Sequence, residues 1–379
     1  MTSPASQSQR HRFVVIMAGG KGERFWPVSR EATPKQLITL LGDRSFLQQA
    51  VDRVRALVPI ENILIITNAV QAAAVRAQLP DLPASNIVGE PIGRDTCAAV
   101  ALGAALVGAR DEHGVLAVLP ADHVIPDTAK FQQVLSDAFG VAAEQSVIVT
   151  IGIHPTSPET GYGYIQSGEP LSSLVAERVQ ATRFFKALRF VEKPNLETAQ
   201  RYLAEGNYRW NAGMFVWSYQ TIRHALTEHQ PEIAAAAERW RLAAQQGQEV
   251  LVRVLENEYP SVKKISIDFA VMEKARNVVV ADGAFDWDDL GAWPALSRHL
   301  ALDADGNALV GSVVQVGATG NIVYDARKKN RTPITLVGLK DSIVVVTDDT
   351  MLVAARGEAQ RIKELVKLLA GNPAFRYLV

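Results

Sequence analysis

The sequence predicts an α/β protein: a Rossmann-like, mostly parallel sheet with helices on both faces, followed by a small C-terminal β unit that a few coils of β-helix would satisfy. Three observations lead there. Strand-like apolar runs alternate with amphipathic segments of helical length up to Ile151. A glycine-rich stretch follows the first of those runs. Beyond about Leu302 the chain turns to short Val/Ile-rich runs punctuated by Gly, Asp and Asn.

Taken in order, Phe13–Ala18, Ile63–Thr67, Gly114–Leu119 and Val147–Ile151 are short, continuous apolar runs, the pattern of strands buried on both faces. Between them Ser45–Val58, Val70–Gln78, Thr96–Ala109 and Thr128–Glu144 place apolar residues at three- and four-residue intervals, as helices do. Parallel neighbours need right-handed crossovers, so ligand-binding loops collect at the carboxyl edge of the sheet. After about Pro155 the alternation loosens into Gly161-Tyr162-Gly163-Tyr164, a charged and aromatic stretch, and Phe190-Val191-Glu192-Lys193-Pro194. A helix-rich section follows, including Pro231–Gln246, and strands return at Asn277–Val280 and Ala284–Trp287. The β unit reads as Ala308–Val316, Asn321–Tyr324, Ile334–Leu339 and Ser342–Val346, closed by a helix over about Glu358–Leu369 that Gly371-Asn372-Pro373 stops. No repeat of fixed period shows. The expected division is a disordered lead-in over residues 1–11, a catalytic domain over 12–302 and a β domain over 303–379.

With 379 residues, 48% hydrophobic and 21% charged, the chain can bury a sizeable core, and its net charge of -1 announces neither nucleic acid nor a membrane surface. A local cluster of Lys and Arg still suffices for a phosphorylated small molecule. The single cysteine, Cys97, excludes a disulfide within the chain and a cysteine-rich zinc site, and it fits a reducing cytoplasm. It reads as a small buried filler, with a reactive thiol at a helix start as the alternative. The first dozen residues have no apolar run, and no stretch of about 18 apolar residues occurs.

The glycine-rich stretch is Ala18-Gly19-Gly20-Lys21-Gly22-Glu23-Arg24-Phe25-Trp26-Pro27. Backbone amides can approach phosphates there with no Cβ in the way. Phe25 occupies the last position of a G-x-G-x-x-G, and no G-x-x-x-x-G-K-[ST] exists, so dehydrogenase and P-loop readings both weaken. Arg24, Arg30 and Lys35 add fixed positive charge next to the glycines. The run G-G-x-G-x-R-x-W-P-x-S-R followed by Pro34-Lys35-Gln36 resembles the signature of the sugar-nucleotide pyrophosphorylases, in the form of their mannose-1-phosphate guanylyltransferase branch. The resemblance implies a nucleotide-diphospho-sugar transferase fold of GT-A type, and triphosphate binding by Gly19, Gly20, Gly22 and Arg24. It implies a phosphate-facing, catalytic role for Arg24 and Lys35.

Further motifs follow in the same order. Glu90-Pro91-Ile92-Gly93-Arg94-Asp95-Thr96 resembles a family segment beside the nucleotide base, implicating Glu90 and Thr96, although Asp95 stands where Asn is usual and cannot donate when ionised. A carboxylate suits the N–H donors of guanine; pairing of Glu90 with Arg94 is the structural alternative. Asp122, in Leu119-Pro120-Ala121-Asp122-His123, taken alone reads as a loop cap, but the resemblance makes it a magnesium ligand. Gly161, Glu192, Lys193 and Asn211 fall in motifs resembling the family's sugar-phosphate segments. In Phe285-Asp286-Trp287-Asp288-Asp289-Leu290-Gly291 the resemblance makes Asp289 the second metal ligand, with Asp288 as its rival.

The implied reaction is attack by mannose 1-phosphate on GTP with Mg2+ or another divalent cation, giving GDP-mannose and pyrophosphate. The seven histidines show no metal-ligand spacing. A pyrophosphorylase for another hexose phosphate or nucleotide, and a silent sugar-nucleotide sensor, are the alternatives. Some relatives continue into an isomerase domain of cupin type; no His-rich motif of that kind follows here, so one activity is expected. The short strands of the β unit leave edges that a homodimer would cover.

Overall fold

The computed structural model describes residues 10–171, 181–329 and 332–379. Of the expected lead-in only Arg10 and His11 lie among them, and His11 pairs with Asp111 at 2.6 Å. The chain divides into two compact units, each assembled from separated stretches. The first takes residues up to Gly19, Ala50–Ala121 and Ile125–Trp287; the second takes Gly20–Gln49, Asp122–Val124 and Asp288–Val379.

The first unit is built on nine strands: β1 Arg12–Ala18, β2 Ile63–Asn68, β3 Ile87–Glu90, β4 Val115–Pro120, β5 Ile148–Ile153, β6 Tyr164–Pro170, β7 Phe184–Val191, β8 Tyr208–Ser218 and β9 Val278–Gly283, in the order β3-β2-β1-β4-β8-β5-β9-β7-β6. The half β3-β2-β1-β4 is parallel, as is the pair β5–β9. Strand β8 runs antiparallel between β4 and β5, and β6 and β7 pair antiparallel beyond β9. Strand β8 alternates buried and less buried residues from Tyr208 to Met214 and carries Gly213, whose φ of 64° is left-handed.

Among the described residues the α-helices longer than four residues are α1 Phe46–Val54, α2 Ala72–Gln78, α3 Asp95–Arg110, α4 Thr128–Glu144, α5 Leu196–Glu205, α6 Tyr219–His229, α7 Pro231–Gln246, α8 Gln248–Glu258 and α9 Ile362–Gly371. Ser45 and Gln48 exchange reciprocal side-chain to backbone hydrogen bonds at the start of α1 (3.1 and 3.2 Å), a capping box. Alternate strand residues face opposite layers. Phe13, Val15, Leu64, Ile66, Leu116 and Val118 join a core with α3, α6, α7 and α8, while α4 packs on the other face against β4, β5, β8 and β9. Helix α3 is buried nearly all round. Its glycines allow that: a Cβ on Gly103 would stand 2.8 Å from Val15 Cγ1, and one on Gly108 would stand 2.4 Å from the Tyr219 ring.

The second unit carries β10 Ala308–Val310, β11 Val313–Val316, β12 Ile322–Asp325, β13 Ile334–Val337, β14 Ser342–Val346 and β15 Met351–Ala355. Strands β10, β12 and β14 stack in parallel, β11 pairs parallel with β13, and β15 closes the stack antiparallel. These are coils of a short β-helix. Buried asparagines hold successive coils together: Asn321 Nδ2 donates to Asn307 Oδ1 at 2.9 Å, and Asn321 Oδ1 accepts from Ser342 N–H at 3.0 Å. The first step spans 14 residues and the second 21, so the coils leave no fixed period in the sequence. Gly311, at φ 105°, splits the expected run Ala308–Val316 into two strands. The strand expected over Ala284–Trp287 is absent; Phe285 instead meets Phe131 edge-on at 5.6 Å and Trp287 meets Tyr162 at 5.1 Å.

Candidate active site

In the second unit the glycine-rich loop is shaped around Lys35. Gly22 has φ 62°, and a Cβ there would stand 2.4 Å from Lys35 Cβ and 2.9 Å from its backbone nitrogen, so only glycine fits. Ser29 Oγ donates to Lys21 O at 3.0 Å and Gln36 Nε2 donates to Gly20 O at 3.1 Å, fastening the loop. Beneath it Phe25, Trp26, Trp293, Tyr324, Ile343 and Val366 share one core. Trp26 Nε1 donates to Leu378 O at 2.8 Å, and Trp293 Nε1 donates to Trp26 O at 3.1 Å.

Lys35 is only 4% exposed, and its ammonium joins two distant stretches of chain. It donates to Asp122 Oδ2 at 2.9 Å and to the backbone oxygen of Asp289 at 2.6 Å, and stands 5.7 Å from the ring centres of Phe25 and Phe46. Two of its three N–H donors are thereby used. Burial lifts the Asp122 carboxyl, but Lys35 and His123 outweigh it and hold the group below the usual carboxylate range. About a third of the Asp122 side chain stays open, at 37%.

Asp288 and Asp289 separate cleanly. Asp288 is buried and accepts from Arg298 Nε and Nη2, from His299 and from the backbone of Leu290, each at 2.8 Å. Its backbone also pairs with Val124. Asp289 is half-buried, with carboxylate oxygens 3.3 and 3.4 Å from the position a Cβ on Gly291 would take; Arg24 Nη1 lies 3.6 Å from that same point. Arg24 also donates to Gln360 at 3.3 Å. Among the described residues no three His, Cys, Asp or Glu side chains gather into a metal cage. The chemistry of the Asp122 and Asp289 carboxylates, hard oxygen donors, nonetheless suits a magnesium ion, which fills the rest of its shell from water and phosphate.

In the first unit Glu90 ends β3, buried, with Tyr259 Oη donating to its Oε1. Its Oε2 lies 3.0 Å from where a Cβ on Gly19 would stand. Burial raises its carboxyl to about 7; the Tyr259 hydrogen bond opposes that and Asp95 adds to it. The hydrogen bond to Glu90 thus comes from Tyr259, a residue with no sequence signal. Thr96 Oγ1 accepts from the Ile267 backbone at 2.8 Å, tying α3 to the segment that follows α8. Cys97 fills a buried space, and burial pushes its thiol up to about 12, which leaves no reactive thiolate.

The motifs resembling the family's sugar-phosphate segments lie in the first unit. Gly161 is exposed with open space around it, whereas a Cβ on Gly163 would stand 2.6 Å from Glu192 Oε2 and 3.3 Å from Asn211 Cβ. Gly163, two residues on, is therefore where close approach requires glycine. Asn211 N–H donates to Gly163 O at 2.8 Å. Lys193, at φ 47°, is exposed and pairs with Glu192 at 2.8 Å. Asn211 Nδ2 donates to Asp268 at 3.0 Å, another residue outside every motif. Tyr162 stands edge-on to Trp210 and Trp287, at 5.2 and 5.1 Å.

Known proteins match this arrangement along nearly the whole chain. The nucleotidyl transferase family model matches residues 13–305, and the MannoseP isomerase/GMP-like β-helix domain model matches residues 311–369. The chain is 39% identical over 355 residues, 93% of its length and 72% of the relative's, to xanthan biosynthesis protein XanB of Xanthomonas campestris pv. campestris (strain B100). It is 38% identical over 370 residues, 96% of its length and 75% of the relative's, to mannose-1-phosphate guanylyltransferase of Escherichia coli (strain K12). A crystal structure of a Thermus thermophilus protein described as a mannose-1-phosphate geranyltransferase is similar at a TM-score of 0.81 and 35% identity, covering 95% of this chain and 99% of that one. With a model matched over most of its length and relatives more than a third identical, the chain belongs to the nucleotidyl transferase family.

Proposed function

We propose that this chain is a mannose-1-phosphate guanylyltransferase, forming GDP-mannose and pyrophosphate from GTP and mannose 1-phosphate. The observation that carries the site assignment is the buried Lys35 ammonium, which holds Asp122 and the backbone of Asp289 from stretches far apart in sequence. Mannose 1-phosphate has a second pKa near about 6, so at neutral pH it is largely dianionic and nucleophilic without a general base. It attacks the α-phosphorus in line and pyrophosphate leaves. The protein's work is alignment and charge neutralisation.

Asp122 and Asp289 are the residues that would hold a divalent cation, and Asp288 is excluded by its own four hydrogen bonds. Such a cation, when bound, supplies positive charge to phosphate oxygens. Lys35 keeps Asp122 ionised and retains a third donor for phosphate. Arg24 adds a second cation, and Gly19, Gly20 and Gly22 present backbone amides to the triphosphate. Glu90 serves the base, with Thr96 fixing the start of α3. Glu192, Lys193 and Asn211 place the sugar phosphate, with Gly161 open to the approach of a sugar and Gly163 making room for the Glu192 carboxylate.

The deciding experiment is pyrophosphate release with each of the four nucleoside triphosphates against mannose 1-phosphate and glucose 1-phosphate. GTP with mannose 1-phosphate should give the highest kcat/KM; a higher value for any other pair would replace this reading. Lys35→Met, which keeps the packing over the two phenylalanines but not the charge, should lower turnover by about a hundredfold or more.

A further inference from the structure

Asp268 lies outside the motifs read from the sequence, yet the amide of Asn211 is aimed at it. It opens a π-helical turn, Asp268–Met272, a geometry that recurs at functional positions. Asn211 Nδ2 donates to Asp268 Oδ1 at 3.0 Å, while Asn211 Oδ1 accepts from Gly213 N–H at 3.1 Å and from Thr150 Oγ1 at 3.3 Å. A flipped amide would set its oxygen against the Asp268 carboxylate and its NH2 against the Gly213 N–H, so these partners admit one orientation. In that orientation one N–H of Nδ2 is spent on Asp268, and the other is left for a ligand. Glu192 reaches the same place, because Gly163 has no Cβ to exclude its carboxylate. Burial and then the nearby Glu192 charge raise the Asp268 carboxyl to about 6. The Glu192 carboxylate, paired with Lys193 at 2.8 Å, keeps lone pairs for further donors, and sugar hydroxyls are donors.

We propose that Asp268 is a positioning residue for the sugar: it fixes the Asn211 amide so that the remaining N–H, together with the Glu192 carboxylate, reads neighbouring hydroxyls of the hexose 1-phosphate and sets the preference between hexose epimers. The proposal rests on the reading of the chain as a guanylyltransferase and names a determinant of its sugar choice. A purely structural Asp268 would tie the π turn to β8 and influence all substrates alike.

The test uses the full chain, measuring kcat and KM for mannose 1-phosphate and for glucose 1-phosphate with GTP, KM for GTP, and Tm. Asp268→Ala should raise KM for mannose 1-phosphate about tenfold, the effect of losing one hydrogen bond. It should narrow the mannose-over-glucose ratio of kcat/KM and leave KM for GTP within about twofold. Asp268→Asn, whose amide oxygen still accepts from Asn211, should recover most of that KM. Asp268→Ala should add little on top of Asn211→Ala, as expected of residues acting together. Exchanging the pair, Asp268→Asn with Asn211→Asp, restores the bond in the opposite direction: Tm should return and the epimer preference should not. An unchanged sugar KM and epimer ratio in Asp268→Ala overturns the proposal. So does epimer preference regained in the exchanged pair, which also decides the matter should Asp268→Ala fail to fold. If the wild-type chain instead turns over another sugar phosphate, the functional reading fails, and the same variants are read on that substrate.

Discussion

Asp288 accepts four hydrogen bonds while its neighbour Asp289 stands beside the bare Cα of Gly291, and this difference has separable consequences. Asp122→Asn and Asp289→Asn should each lower turnover by about a hundredfold, and the double variant should cost little more than the worse single one. Asp288→Asn should instead lower stability by about 2–4 kcal/mol in urea denaturation, because Arg298 and His299 lose a buried anion. The Asp288 carboxyl is lifted by burial but carried below its usual range by His299, Leu290 and Arg298. Its contribution is therefore complete above the unfolded pKa of about 3.9 and is lost as pH falls through the lower folded value. The variant should show a shallower loss of stability below about pH 4. Glu90 has the opposite sign. With a folded pKa raised to about 7, it lowers stability progressively from about pH 4.5 up to 7. Glu90→Gln should flatten that slope, measured as Tm against pH, and erode the preference for GTP over ATP. An unchanged GTP/ATP ratio in a folded variant would move base recognition to other groups.

At the scale of elements, the glycine loop and the β-helix depend on positions where only one residue type fits. Gly22→Ala forces a side chain into Lys35 from a left-handed backbone, whereas a Cβ on Gly20 would meet nothing within 4 Å. Gly22→Ala should lose about 1–3 kcal/mol of stability together with most turnover. Gly20→Ala should stay within about 0.5 kcal/mol of wild type and change only the KM for GTP. Equal stability losses in denaturation curves of the two would remove Lys35 as the reason for the glycine. The helices α3 and α4 are legible from their apolar spacing, since that is a local property. Strands β6, β7 and β8 were not, because their pairing and the kink at Gly213 depend on neighbours supplied from elsewhere in the sheet.

At the scale of the molecule, the glycine-rich loop shares its core with the β-helix. Phe25 and Trp26 pack in the second unit with Tyr324, Ile343, Val345, Leu352, Ile362 and Leu378. Arg30 adds a two-bond pair to Asp349 at 2.6 and 2.7 Å, and Tyr324 Oη donates to Thr39 O at 3.3 Å. Removing residues 303–379 leaves every proposed site residue in the chain but strips this support. Burying the large side chains involved is worth about 1.5–3 kcal/mol each, so the truncated chain should lose activity and melt at a lower temperature. Turnover at the wild-type rate would make the β-helix an idle appendage.

By itself the sequence supplied the residues on which the proposed site rests: the glycine loop, Asp122, Asp289, Lys35, and the ordered motifs at Glu90, Glu192 and Asn211, whose roles the family resemblance implies. Each is a cluster of residues close along the chain, and local clustering is readable. Only the tertiary structure decided which partners complete them. The bond from Tyr259 to Glu90 spans 169 residues, that from Asn211 to Asp268 spans 57, and that from Lys35 to Asp289 spans 254. No local propensity encodes such distances. A lone tyrosine or aspartate acquires its role when the fold buries it against a group that must be hydrogen-bonded or neutralised, and burial is a property of the whole packed chain.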